Sequence, residues 1–160
     1  MRIVSDTSPI CYLLLIGQAD VLGVLFKQVC IPLAVRDELE AVPAFHAWLA
    51  SPPAWLEIRA VPPGLETGLG RLDPGEREAI LLSEILEADL VLLDERKARQ
   101  VAKERGLAVM GLLGVLDLAA QAGLVSLVDA VERLGRTSFR AEPRLIKSLL
   151  DRYRSGPEEG

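Results

Sequence analysis

Histidine is almost absent from this chain: His46 is the only one in 160 residues. That excludes most hydrolytic triads built on a histidine base, and it excludes zinc sites that need several imidazoles. Cysteine is nearly as scarce. Cys11 and Cys30 both sit among apolar neighbours, and the reading is two buried thiols in a reducing compartment, with no disulfide framework. His46, between Phe45 and Trp48, reads as a partly buried structural residue. Aromatic residues make up only 4%, so the core has to be built from Leu, Val, Ile and Ala. No apolar run approaches the roughly 18 residues of a membrane span. The longest, Ile10 to Ile16, is followed by Gly17, Gln18 and Asp20. The N-terminus carries one charge, Arg2, and enters a strand at once, unlike a signal peptide. A cytoplasmic protein without membrane contact is expected. Phosphate-loop and dinucleotide fingerprints are missing too, because Gly68, Gly70 and Gly75 fit neither spacing.

What is present is an ordinary globular composition. Half of the residues are hydrophobic and the mean hydropathy is +0.28, which excludes disorder over most of the length. The net charge is −5. Phosphate contacts reward positive charge, so this weighs against nucleic-acid binding, although a cluster of catalytic carboxylates accounts for part of it.

Short apolar runs alternate with helical patterns. Strands are expected at Arg2 to Ser5, Gln28 to Ile31, Trp55 to Val61, Asp89 to Leu93 and Leu107 to Met110. Helices are expected between and after them, with Pro62 to Leu72 a glycine-rich connection. Asp73-Pro74-Gly75-Glu76 is a helix start, with Asp at the N-cap, Pro at the first position and Glu at the third. Leu90 to Leu93 is continuously apolar, as for a strand buried on both faces. The alternation implies an α/β fold: a parallel sheet of about five strands between two layers of helices. One domain is expected over residues 1–153, with a flexible tail over 154–160.

In such sheets functional residues gather at the carboxyl ends of the strands. That rule selects Asp6, after the first strand, and Asp94, after the fourth. Each also has a plainer role, since Asp is a favoured N-cap and Asp94 opens the next helix in this reading. If their strands are neighbours, both carboxylates face one crevice. Glu76 is a third candidate, equally readable as a helix-start acid. Glu38 is a fourth, equally readable as part of a solvated face with Asp37 and Glu40. Several converging carboxylates demand protons or a cation, and an all-oxygen set selects Mg²⁺ or Mn²⁺ over Zn²⁺. Cations cluster after Asp94 (Arg96, Lys97, Arg99, Lys103, Arg105). They read either as an ordinary helix face or as contacts to a phosphate backbone.

Four segments, taken in order, resemble the PIN-domain family. They are Ser5-Asp6-Thr7-Ser8-Pro9-Ile10, Pro74 to Ile80, Leu93-Asp94-Glu95-Arg96-Lys97-Ala98-Arg99, and Gly111 to Leu116. The resemblance is to a prokaryotic branch similar to the toxin nucleases of VapBC-type toxin–antitoxin pairs. It implies a PIN-like three-layer fold and Mg²⁺- or Mn²⁺-dependent hydrolysis of RNA phosphodiesters. Carried over by position, it implies Asp6, Glu76 and Asp94 as metal acids and Glu38 as the helix acid completing the catalytic set. Thr7 and Ser8 match the small hydroxyl positions beside the first acid, and Arg96 and Arg99 are placed to meet substrate phosphate. The implied partners are RNA, an antitoxin protein and a second copy of the chain. One departure stands out: Glu95, then Arg96-Lys97, occupies the stretch where many PIN nucleases carry a further Asp. It motivates an alternative, a PIN-like module that binds a partner or RNA without cutting.

Overall fold

Parallel strands cannot be joined by a tight turn; each pair needs a crossover, usually a helix. The computed structural model describes residues 1–65 and 68–155 and shows those crossovers. The strands are β1 (Ile3–Ser5), β2 (Val29–Pro32), β3 (Leu56–Arg59), β4 (Leu90–Leu92) and β5 (Val109–Met110). They form one sheet in the order β3-β2-β1-β4-β5, and every pairing is parallel. The helices before β4 are α1 (Thr7–Leu15), α2 (Val21–Phe26), α3 (Leu33–Glu40), α4 (His46–Ala50) and α5 (Pro74–Ile85). After it come α6 (Arg96–Glu104), α7 (Leu112–Gln121), α8 (Leu127–Leu134) and α9 (Pro143–Ser155). A 3₁₀ turn, Pro43–Phe45, leads into α4.

The side-chain alternation of the strands divides the core in two. Ile3, Val29, Ile31 and Leu92 point to one face and pack with Ile10 and Leu13 of α1 and Leu112, Val115 and Leu116 of α7. Val4, Cys30, Val91 and Leu93 point to the other and pack with Ile80 and Leu82 of α5 and Ala98 and Ala102 of α6. The expected α/β/α sandwich with a five-stranded parallel sheet is therefore what the chain forms.

The sheet order places the functional end. The chain steps from β1 outward to β3, then returns to the other side of β1 for β4 and β5. The order reverses between β1 and β4, which are paired with Ser5 opposite Leu92. Crevices at such reversal points are the usual binding sites of open α/β sheets.

Several local expectations are corrected. Asp94 does not open α6; Glu95 is its N-cap. His46 is exposed, and a ring nitrogen lies 2.6 Å from the Glu40 carbonyl oxygen. Cys30 is buried, but Cys11 is only half-buried. Helix α9 continues to Ser155, two residues into the expected tail; residues 156–160 of that tail, and 66–67 of the glycine-rich connection, lie outside the described residues. The apolar stretches Ile10 to Ile16 and Leu112 to Leu118 largely serve the core. No helix among the described residues is long and apolar enough to cross a membrane.

Candidate metal centre

Asp6 follows directly on β1, and its backbone N–H donates to the Leu92 carbonyl of β4 at 3.0 Å. It occupies the N-cap position of α1 with extended backbone, yet its side chain makes no capping hydrogen bond. The carboxylate points inward instead. Its Oδ1 is buried and has no hydrogen-bond partner. Burial, with the nearby charges of Asp73, Glu76 and Glu38, pushes the Asp6 carboxyl up to about 8, against the opposing Thr7 backbone N–H. An unsatisfied buried carboxylate oxygen is costly and calls for a cation or a proton.

Glu38 reaches the same place from α3. Its Oε1 accepts from the Thr7 hydroxyl at 2.7 Å and its Oε2 from the Gly75 backbone N–H at 2.9 Å. Helices α3 and α5 are tied in both directions, because Glu78 of α5 accepts from the Ala34 N–H at the start of α3. Each helix thus supplies a carboxylate to the other's unsatisfied N-terminal donors.

Asp73 completes the group. Ligand oxygens of Asp6, Glu38 and Asp73 all lie within 4.8 Å of one another. At an effective dielectric of about 20, unit charges that far apart repel by roughly 3.5 kcal/mol per pair. Asp73 is exposed, so water screens its share of the repulsion; the buried Asp6 oxygen next to two further carboxylates is still a place for a counter-charge, and three hard oxygens favour Mg²⁺ or Mn²⁺. The donor set and the orphaned Asp6 oxygen therefore fit a divalent ion.

Gly75 makes the convergence possible. A Cβ there would lie 2.6 and 2.8 Å from the Glu38 carboxylate oxygens and 3.0 Å from Asp6 Oδ1. Any side chain would fill the space into which the acids point. Neither Gly75 nor Asp73 was among the sequence-derived site residues, since Asp73 is fully explained there as a cap. One signal was available: glycine in the first turn of a helix sacrifices about 1 kcal/mol of propensity, so its presence between Pro74 and Glu76 asks for a steric reason.

Of the expected metal acids Asp6, Glu76 and Asp94, the structure brings only Asp6 into this cluster, where Glu38 and Asp73 join it. Glu76 makes the capping box with Asp73: its N–H donates to Asp73 Oδ1 at 2.8 Å, and its Oε1 accepts from the Asp73 N–H at 3.1 Å. It is buried, and burial plus Asp73, Glu95 and Glu38 raise its carboxyl above the usual range. Asp94 follows β4, on the strand next to Asp6. Its Oδ1 accepts from the Leu112 N–H at 2.7 Å, so it caps α7 from another element. Its Oδ2 is buried without a partner. Burial raises its pKa, against the Leu112 N–H and the Arg99 guanidinium. Among the described residues, Asp6 Oδ1 and Asp94 Oδ2 are the two buried side-chain polar atoms left unsatisfied, and both belong to acids that the strand-end rule selected.

The hydroxyl and cationic candidates divide. Thr7 holds Glu38, whereas Ser8 is half-buried in the first turn of α1. Arg99 converges with Asp94 over Gly111, where an added Cβ would meet Asp94 Oδ1 at 3.0 Å and Arg99 Nη1 at 3.2 Å. Arg96, exposed at the start of α6, shares a cleft with Asp94 and Arg99.

The family model DUF3368, described as a PIN domain, matches residues 2–155. Among solved structures, a PilT N-terminus domain protein from the hyperthermophilic archaeon Sulfolobus solfataricus P2 is similar at a TM-score of 0.55 and 20% identity. The match covers 72% of this chain and 90% of that one, and at that identity it is a likeness of fold. No curated protein matches the chain.

Proposed function

The chain belongs to the PIN-domain family, and from that premise we propose that it is a Mg²⁺- or Mn²⁺-dependent endoribonuclease that hydrolyses RNA phosphodiesters. The observation that carries the reading is the buried, unsatisfied Asp6 Oδ1 within 4.8 Å of ligand oxygens from Glu38 and Asp73. Asp6, Glu38 and Asp73 would hold the ion, with Glu76 in the capping box of Asp73 and Asp94 at the end of the adjacent strand. When bound, the ion supplies Lewis-acid polarisation of a phosphoryl oxygen and a lowered pKa for a coordinated water. The chain's own residues do the rest. Thr7 and Gly75 fix both oxygens of Glu38, which keeps it oriented to accept a proton from the attacking water. Arg96 and Arg99 steady the charge of the scissile phosphate from the α6 side.

Further parts of the proposal rest on the motif resemblance: action as the toxin of a toxin–antitoxin pair, an antitoxin partner, a homodimer and a cytoplasmic setting. Asp6→Asn keeps the shape of the site and removes its central charge. Mn²⁺-dependent cleavage of RNA is expected to disappear in this variant while its circular dichroism stays unchanged; full activity in the folded variant overturns the reading.

A second reading has its own observation. Asp94 spends one oxygen on the α7 N-terminus and is followed by Glu95, so the site around Asp6 holds fewer acids than many PIN nucleases. A module that binds RNA or protein without cutting is then the function. Mn²⁺ calorimetry separates the two, since the module shows no binding at millimolar metal.

A further inference from the structure

Strand β3 (Leu56–Arg59) ends the sheet and pairs on one side only, with β2. The Val29 N–H donates to the Trp55 carbonyl at 2.8 Å, and this bond sets the phase of the ladder. Successive residues of a strand turn their backbone groups to opposite sides. Those of Glu57 and Arg59 therefore face β2, and those of Leu56, Ile58 and Ala60 face outward. Among the described residues, no backbone hydrogen bond from a turn, loop or other element reaches Ile58 or Ala60. Native edges are commonly blunted by proline, lysine or a bulge. Leu56–Arg59 contains neither proline nor lysine, and its register against β2 runs without a skip. The sequence pattern carries this strand on to Val61, two residues beyond what a single chain pairs.

Charge makes this edge complementary to itself. Glu57 and Arg59 lie on one face of the strand, joined at 2.6 Å, with side chains 30% and 47% exposed. Let a second copy run antiparallel with the two Ile58 residues opposite each other. Outward backbone groups then meet outward backbone groups. Ile58 exchanges both hydrogen bonds with its counterpart, and each Ala60 N–H reaches the Leu56 carbonyl of the other copy. The Leu56 N–H is already spent on the Pro53 carbonyl. Glu57 lies opposite Arg59 of the second copy, and by symmetry this happens twice, so four charges of alternating sign close a ring. Moving the centre by one residue sets Glu57 against Glu57, or Arg59 against Arg59. Like charges directly opposite destabilise a strand pair, so one register is selected over its two neighbours.

We propose that β3 is an interface at which two copies of this chain pair antiparallel about Ile58, joining their sheets into one. The opposite edge is less suited. Strand β5 has two residues, and Phe139, Ala141 and Glu142 line the cleft beside it. The proposal gives the homodimer of the preceding reading a contact surface, and it is independent of ribonuclease chemistry.

Sedimentation equilibrium of the full chain is expected to show monomer and dimer in exchange. Glu57→Arg and Arg59→Glu are each expected to weaken the dimer about 10-fold, because each sets like charges opposite one another. Mixed in equal amounts, the two variants are expected to form a heterodimer with affinity restored, since every arginine again faces a glutamate. Glu57 also accepts from the Cys30 thiol, so a third variant guards against a folding defect. Ala60→Pro removes an outward N–H at an exposed position and is expected to weaken the dimer with its unfolding midpoint unchanged. A wild-type chain that stays monomeric up to its solubility limit overturns both this interface and the homodimer. A dimer unaltered in all three variants overturns the interface alone, because the copies then meet elsewhere. Loss in both charge variants without recovery on mixing overturns the proposed register and with it the proposal. RNA cleavage is read separately through Asp6→Asn, so failure here and failure of the ribonuclease reading are distinct.

Discussion

Gly75 shows how little chemistry a residue needs in order to decide a site. Its hydrogen side chain leaves the space where Glu38 and Asp6 carboxylates meet, and its N–H holds Glu38 in place. Gly75→Ala adds helix propensity, a gain of up to about 1 kcal/mol at an unstrained position. Here the methyl group would displace two carboxylates instead. The expected outcome is a folded protein whose Mn²⁺ affinity, measured by calorimetry, falls at least 10-fold. Unaltered affinity would show that the ion sits away from the Asp6, Glu38 and Asp73 oxygens. Asp6 was legible in the sequence because it stands at a strand end in a parallel sheet and within the run Ser5-Asp6-Thr7-Ser8-Pro9, although a helix N-cap explained it too. Asp73 was not, because a cap and a ligand look identical in one dimension.

At the scale of the element, the helix termini do two jobs. Glu38 satisfies a donor at the start of α5, Glu78 one at the start of α3, and Asp94 one at the start of α7. The α7 N-cap position itself is Gly111, with no side chain to offer. Asp94→Asn preserves the Oδ1 acceptor for Leu112 and removes the buried charge. Asp94→Ala removes both. Loss of a cap costs about 1 kcal/mol, so the alanine variant is expected to be less stable than the asparagine variant by about that amount in urea unfolding. RNA cleavage is expected to be lost in both. Equal stability of the two would mean that the α7 start finds another acceptor. The helix starting at Asp73 was predictable to the residue, since Asp-Pro-Gly-Glu is a local signal. That Asp94 caps a helix 18 residues downstream was not, since only the pairing of β4 with β5 brings α7 to it.

For the molecule as a whole, the buried acids set a pH dependence. The Asp6 carboxyl sits at about 8 in the folded chain against an ordinary 3.8. Between those values the folded state keeps a proton that the unfolded chain has released, so the metal-free protein loses stability as pH rises from about 4 to about 8. One such proton is worth at most about 1.4 kcal/mol per pH unit. The raised carboxyls of Glu76 and Asp94 act in the same direction. A divalent ion binds the ionised form, so added Mn²⁺ is expected to raise the melting temperature more at pH 8 than at pH 5. A metal-free melting temperature that climbs between pH 5 and pH 8, or a larger Mn²⁺ effect at the lower pH, contradicts this account.

Sequence alone determined the fold class, because apolar runs of strand length alternating with helical patterns leave a covered parallel sheet as the consistent way to bury both faces. It also identified strand-end and helix-start acids as places where negative charge gathers. Which of those acids meet was decided by the tertiary structure. The sheet order sets β1 beside β4, and the mutual capping of α3 and α5 carries Glu38 across to Asp6. Gly75 leaves the room that the Glu38 and Asp6 carboxylates share. Local propensity acts over a few residues, whereas the 4.8 Å that define this cluster join positions 6, 38 and 73, separations that only packing can close.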